Sequence, residues 1–274
     1  MADNLIVEKR NSVAIVTLNR PEVRNALDEA LIANLTSTFL DLDKDESVRV
    51  VVLAAAGKAF CAGGDLNWMQ RAAGYGYEQN LADAQALADM LKTLDRMSKP
   101  TVARVHGPAY AGGVGLVAAC DIAIGSHEAE FCLSEVKLGI SPATISPYVV
   151  RAMGERLARR YFLTGEVIDA GEAYRLRLLS DIAPMEELDG AVNAILGHLV
   201  VGGREAQGRT KDLISTVGSG PVNDAMIADT AKRIAEIRAS AEGKEGIASF
   251  LEKRKPAWVK QFEAVRVKPQ RKKR

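Results

Sequence analysis

The chain has 274 residues, 47% of them hydrophobic, and 36 Lys and Arg stand against 35 Asp and Glu for a net charge of +1. That length and apolar content suffice for one large domain with a buried core, and a net charge this small excludes an overall field that would recruit nucleic acid or a membrane surface. Three cysteines, Cys61, Cys120 and Cys132, form no CxxC pair; neither a disulfide framework nor a structural zinc site is expected.

A reducing, cytoplasmic setting fits that cysteine usage. No run approaches the roughly 20 apolar residues that a membrane helix needs. The N-terminus, residues 1–9, is acidic and mixed and does not read as a secretion signal.

In chain order, residues 13–18 (VAIVTL) are short, β-branched and predict a strand. Residues 26–42 place Leu27, Leu31, Leu35, Phe39 and Leu42 on one helical face. Residues 48–54 (VRVVVLA) predict a second strand, and residues 79–97 a helix that repeats Leu81, Leu87, Leu91 and Leu94. Strands are expected at 101–106, 121–125 and 129–133, with a small, wholly apolar and therefore buried helix at 112–120. The alternation suggests an α/β domain with stacked sheets.

After about Pro184 the pattern becomes helical, at 188–201 and 222–255, punctuated by Gly202, Gly203, Gly218, Gly220 and Pro221. We divide the chain into a core at 1–199 and a helical C-terminal section at 200–274. That section is too thin in large apolar residues for a core of its own and is expected to pack on another surface, including that of another subunit. It ends in a basic tail of Lys268, Arg271, Lys272, Lys273 and Arg274.

Two glycine turns are the most informative stretches. In KAFCAGGDLNWM (58–69) a strand ends, small residues allow a tight turn, and Asp65 can cap a helix that starts at Leu66. In HGPAYAGGVGLVAACD (106–121) a strand again ends, Gly112 and Gly113 open the backbone and a helix begins. A helix N-terminus offers N–H donors and a positive dipole end. Two such turns converging on one oxygen would make an oxyanion hole. Either turn alone is more often structural, and a phosphate loop fails on glycine spacing and on the missing lysine.

At these residues the sequence resembles the crotonase (enoyl-CoA hydratase/isomerase) family. AFCAGGDL resembles its first oxyanion loop, PAYAGGVGLVAACDIAIGS its second, and AEFCLSEVKLGISP its catalytic stretch. RPEVRNAL resembles its first CoA-contact turn and FLTGEVIDAGEAYRLRLLSDI a later helix-turn segment. The resemblance runs from about Leu5 to beyond Trp258. It implies an α/β fold built as a crotonase-type spiral of ββα units in two sheets, with the helical C-terminal section following.

The resemblance also implies site residues. The N–H groups of Gly64 and Gly112 would hold a thioester oxygen, and losing one such donor costs about 2.7–4 kcal/mol in the barrier. Glu135 matches the catalytic glutamate that moves a proton at the acyl chain. CoA would lie along Arg24, Ala26, Ala62, Asp65 and Leu66. Tyr110 and Gly113 would line the acyl pocket, and Trp68 and Met69 could face the acyl tail or be ordinary core. The implied partner is an acyl-CoA thioester, with coenzyme A a part of the substrate, and no metal or redox cofactor is needed. The family commonly forms trimers, often paired as hexamers.

One departure matters. Two-glutamate hydratases of this family carry a second glutamate three residues after the oxyanion glycine, where this chain has Gly115. A one-carboxylate site suits double-bond isomerases, and also members that hydrate branched, carboxylated acyl groups. GDLNWM, GVGLVAACD and ISPATISPYVVRAMGERLARRYFLTG resemble bacterial hydratases of methylglutaconyl-CoA and related acids. Hydration of an enoyl-CoA is therefore the leading expectation and Δ3,Δ2-enoyl-CoA isomerisation the second. Arg71 and Arg151 are the candidates to meet a carboxylated tail.

Other classes are weaker. His106 and His127 lack a GxSxG serine for a hydrolase. Cys61 and Cys120 lie in small apolar runs typical of core. RNA binding through the terminal basic run, or CoA binding without catalysis, is a remote reading.

Overall fold

In a computed structural model of the chain, which describes residues 4–218, 220–259 and 263–265, the β-branched runs form one six-stranded and one three-stranded sheet. The strands are β1 (Leu5–Arg10), β2 (Val13–Leu18), β3 (Val50–Ala55), β4 (Thr101–Val105), β5 (Ala109–Tyr110), β6 (Ile122–Ser126), β7 (Glu130–Cys132), β8 (Val167–Asp169) and β9 (Asp181–Ala183). The larger sheet runs β1-β2-β3-β4-β6-β9 and the smaller β5-β7-β8. β1 and β2 form an antiparallel hairpin whose two turn residues, Asn11 and Ser12, both take positive φ, the backbone such a tight hairpin needs. From β2 onward every pairing in the larger sheet is parallel.

All six residues of β3 are buried, as expected of a parallel strand covered on both faces. Alternation divides its neighbours between two cores. Val51 and Leu53 face α1 (Glu29–Lys44) and α3 (Tyr77–Asp95), which lie on either side of α2 (Leu66–Ala72) in the chain. Val50, Val52 and Ala54 face Leu188, Val192 and Leu196 of α8 (Leu188–Leu199). Between α3 and α8 lie α4 (Gly112–Ala119), α5 (Ser146–Met153), α6 (Glu155–Thr164) and α7 (Ala170–Arg175).

The sequence expectations hold with shifted ends. Leu31, Leu35, Phe39 and Leu42 are buried on α1, but the helix begins after Asp28, whose carboxylate accepts from the Leu31 N–H at 2.8 Å. Leu27, expected on that helix, instead belongs to the preceding turn. On α3, Leu91 and Leu94 are buried while Leu81 is 48% exposed. α4 is buried from Gly113 to Ala119, as its composition required. β1 had no sequence signal, since its residues are half-buried or exposed throughout.

The last helices are α9 (Arg204–Val217), α10 (Asp224–Ala239) and α11 (Ala241–Leu251). Ser249 is their one fully buried side chain among the described residues. α9 is tied to the core by polar contacts: Lys211 meets Asp121 at 2.7 Å, and Arg204 donates to the carbonyls of Asp45 and Val48. The basic tail, Lys268 and Arg271 to Arg274, lies outside the described residues. No described helix is long and apolar enough to cross a membrane.

Candidate active site

The site is assembled from three segments that are distant in the chain. The first is the turn that precedes α1. Pro21–Val23 form one 3-10 turn, and Arg24 and Asn25 then take left-handed backbone, φ 53° and 56°. Asn25 tolerates that region and is wholly buried. Its Oδ1 accepts from the Arg20 N–H, and its Nδ2 donates to the carbonyls of Ala56 and Ala59. This side chain hooks the turn to the chain leaving β3.

The second segment, Cys61 to Asp65, lies alongside that turn. Ala62 N–H donates to the Arg24 carbonyl, Leu27 N–H to the Gly63 carbonyl and Asp65 N–H to the Leu27 carbonyl. Arg20 closes the arrangement. Its guanidinium donates to the Ala26 carbonyl at 2.7 Å and pairs with Asp65 at 3.0 Å and Asp28 at 2.9 Å. Asp65 also caps α2, accepting from the N–H groups of Asn67 and Trp68. The expected cap is therefore present, and the Asp65 carboxylate is committed to it and to Arg20.

The third segment is the entry to α4. Tyr110 N–H donates to the Cys61 carbonyl at 2.8 Å, and Ala111 N–H to the Cys132 carbonyl at 2.8 Å. Ala111 has φ 47° and ψ −116°. That is a strained region for a residue with a Cβ, and such strain clusters at functional turns. The carbonyl of the same residue accepts from Val114 and Gly115, so the strain is held from both sides. The sequence carries no cue to it beyond the neighbouring glycines.

The two glycine turns meet closely. A Cβ on Gly63 would stand 3.1 Å from the Ala111 Cβ, and one on Gly113 would stand 2.6 Å from the Cys61 carbonyl oxygen. Leu27 touches both turns, bridging to Gly64 and lying against Gly112. Neither the Gly64 nor the Gly112 N–H donates to a carbonyl among the described residues. Gly112 opens α4, so its N–H stands at the positive end of that helix.

Glu135 comes from the 3-10 turn Ser134–Leu138 that follows β7. β7 pairs with β5, and the Cys132 carbonyl holds Ala111, so the strand that delivers Glu135 also holds the residue before Gly112. Glu135 is 9% exposed, and its buried Oε2 has no hydrogen-bond partner among the described residues. Burial pushes its carboxyl pKa above the ordinary 4.5, and no charged neighbour contributes to the shift. A buried carboxyl oxygen left unpaired in this way is expensive unless something else uses it.

The remaining expected residues distribute unevenly. Ala26, Ala62 and the exposed Arg24 and Leu66 lie together on the first two segments. Trp68 and Met69 approach Gly64, with the Met69 Cγ 3.3 Å and Trp68 Cε3 3.6 Å from where its Cβ would stand. Trp68 is further fixed by its Nε1 donating to Asp83 at 2.9 Å. Tyr110 directs its hydroxyl to Glu130 at 3.1 Å, and Gly113 faces the Cys61 carbonyl. Gly115 lies beneath Ile145.

Arg71 pairs with Glu29 at 2.7 Å. Arg151 pairs with Asp95 and lies over the Tyr148 ring at 5.6 Å. Neither cation is free to meet an acyl carboxylate without leaving its partner.

The competing chemistries find no support. His106 contacts the Gly57 carbonyl through Nε2 at 3.0 Å, and its buried Nδ1 meets no hydroxyl among the described residues. Burial pushes the Cys61 thiol up to about 12 and raises Cys120 as well, so neither is a thiolate at neutral pH. A cavity of about 420 Å³ at the ends of the parallel strands is lined by Lys58, Arg104, His106 and Met185 among others, and includes none of the expected site residues.

Comparison with known proteins identifies the family. The family model described as enoyl-CoA hydratase/isomerase matches residues 8–261. The solved structure of an enoyl-CoA hydratase from Shewanella pealeana superposes with a TM-score of 0.91 at 42% identity, covering 93% of this chain and 96% of that one. One from Mycobacterium smegmatis gives 0.88 at 35% identity, over 93% and 99%. A crotonyl-CoA hydratase of Syntrophomonas wolfei is 30% identical over 259 residues, 94% of this chain and 98% of its own. The chain belongs to the enoyl-CoA hydratase/isomerase, or crotonase, family.

Proposed function

We propose that the protein is an enoyl-CoA hydratase that adds water across the double bond of an α,β-unsaturated acyl-CoA. The observation that carries the reading is Glu135, a buried carboxyl with an unpartnered oxygen, delivered by the strand that also holds Ala111 ahead of Gly112. The family membership and the names of the relatives support the same reaction.

The thioester oxygen accepts hydrogen bonds from the N–H groups of Gly64 and Gly112. This draws electrons from the β-carbon and stabilises the enolate that forms when water attacks there. Glu135, ionised, takes a proton from the water as the new carbon–oxygen bond forms, then returns a proton to the α-carbon. The net change is one water added, and the carboxylate is regenerated. The CoA portion lies along Arg24, Ala26, Ala62, Asp65 and Leu66, mainly against backbone.

A methylglutaconyl-CoA-like substrate, carrying a second carboxylate, would require Arg71 or Arg151 to leave its present partner. Gly115 favours one alternative. With a single carboxylate, Glu135 can move a proton between two carbons, which is Δ3,Δ2-enoyl-CoA isomerisation. The exposed apolar side chains of α9–α11, Phe250 at 82% exposure among them, support assembly with copies of the same chain as a trimer or hexamer.

The test is turnover of crotonyl-CoA, followed as loss of the conjugated thioester absorbance. Glu135→Gln lowers kcat by about 10²–10⁴-fold, the range of a general acid–base group, with the fold intact by circular dichroism. Unchanged turnover in that variant rejects the assignment.

A further inference from the structure

α2 has no buried residue, so the core packing that fixes most helices does not fix this one. It starts two residues after Gly64 and folds back on that glycine. A Cβ on Gly64 would stand 3.3 Å from the Met69 Cγ and 3.6 Å from the Trp68 Cε3. Trp68 is tied at both ends. Its backbone N–H donates to the Asp65 carboxylate at 3.3 Å, and its indole Nε1 donates to the Asp83 Oδ1 at 2.9 Å. Asp83 belongs to α3, which is secured in the core by Met90, Leu91 and Leu94. The indole therefore reaches from an anchored helix to the Gly64 backbone.

The direction of the Gly64 N–H is set by its peptide unit. The Gly63 carbonyl accepts from the Leu27 N–H at 2.7 Å. In a planar trans peptide the C=O and N–H point opposite ways, so the Gly64 N–H points away from Leu27. Leu27 holds one end of this unit, and Trp68 and Met69 pack on the other, at the Gly64 Cα. Met69 is flexible and adapts to its surroundings. An indole N–H is a donor only, and its single bond to Asp83 orients the ring.

We propose that Asp83 is a positioning residue: by holding the Trp68 indole against Gly64, it keeps the Gly64 N–H preset for the thioester oxygen as that oxygen becomes negative. The inference rests on the acyl-CoA reading above. Oxyanion donors are effective because they need not reorganise during the reaction. Loosening one therefore lowers kcat and leaves ground-state binding of the thioester largely intact.

The experiment uses the full chain and three readouts: turnover of crotonyl-CoA, calorimetric binding of the non-reacting butyryl-CoA, and Trp68 fluorescence. The fluorescence is read in a Trp258→Phe background, where Trp68 is the sole tryptophan. Asp83→Leu removes the acceptor. It is expected to move the emission to longer wavelength and to lower kcat about tenfold, short of the roughly 10²–10³ that removing a donor outright costs, with butyryl-CoA affinity unchanged. Asp83→Asn keeps an acceptor oxygen and stays near wild type in all three. Trp68→Phe keeps a ring but loses the N–H, and is expected to lose kcat to the same extent as Asp83→Leu. The double variant loses no more than either single one, the coupling that contacting residues show.

An emission shift in Asp83→Leu with unchanged kcat overturns the proposal, as do unshifted emission, additive losses in the double variant, or an equal loss in Asp83→Asn and Asp83→Leu. Each leaves the acyl-CoA reading standing. A wild type that neither turns over crotonyl-CoA nor binds butyryl-CoA overturns that reading and the proposal with it.

Discussion

Glu135 faces opposing demands. Its turn buries it, which raises its pKa, while hydration needs it ionised to accept the proton of water. The acid limb of kcat/KM in the hydration direction therefore falls at a pH above the ordinary carboxylate value of 4.5.

The same shift has a stability consequence with a definite sign. Below about pH 4.5 the carboxyl is neutral in both folded and unfolded chains and carries no charge penalty. As pH rises through the folded pKa the buried group must ionise against its surroundings, and stability is lost. Glu135→Gln thus melts at a higher temperature than wild type at pH 8, and the difference shrinks toward pH 4. Equal differences at the two pH values would contradict the burial account.

Glu135, Gly64 and Gly112 could be proposed from the sequence because each lies inside a motif of contiguous residues. The contact of Ile145 with Gly115 could not, because the two are thirty residues apart and no local pattern records it. The strain at Ala111 was hidden for the same reason, since it is held by the Cys132 carbonyl from another strand.

Among elements, the turn before α1 and the Cys61–Asp65 segment depend on two polar side chains, Asn25 and Arg20, as well as on the packing of Leu27 and Cys61. Asn25 answers the Ala56 and Ala59 carbonyls and the Arg20 N–H from a fully buried position. Asn25→Ala leaves those groups unpaired and is expected to destabilise by about 3 kcal/mol, read as a shift of the urea midpoint. A loss under 0.5 kcal/mol would show that the hook is dispensable.

The sequence marked RPEVRNAL only as resembling a CoA-contact turn and gave Asn25 no role, because its partners are carbonyls that any sequence could supply. Helix and strand positions were read well where the period was strong, as on α1 and α4. They failed at β1 and at the three-residue strands β8 and β9, whose burial alternates too weakly or too briefly to register. Leu81 shows the opposite error, a leucine in step with a helical face that the fold leaves exposed.

For the whole molecule, the fold class was legible because several ordered motifs constrain it jointly. The surface of the C-terminal helices was legible only as a deficit: few large apolar residues, several of them now found exposed, with Phe250 at 82% and Leu251 at 73%. A monomer rarely leaves such residues on a helical section without a use. Light scattering at micromolar concentration is expected to give the mass of three or six chains, and Phe250→Glu to lower it. A stable wild-type monomer would contradict the assembly.

The most direct test of the central claim is turnover in heavy-oxygen water, with crotonyl-CoA and a 3-enoyl-CoA offered separately to wild type and Glu135→Gln. The hydratase reading predicts a 3-hydroxyacyl-CoA from crotonyl-CoA carrying one heavy oxygen, lost in the variant. A shifted double bond in the 3-enoyl-CoA without incorporated label, and no hydration of crotonyl-CoA, would contradict it and assign the site to isomerisation.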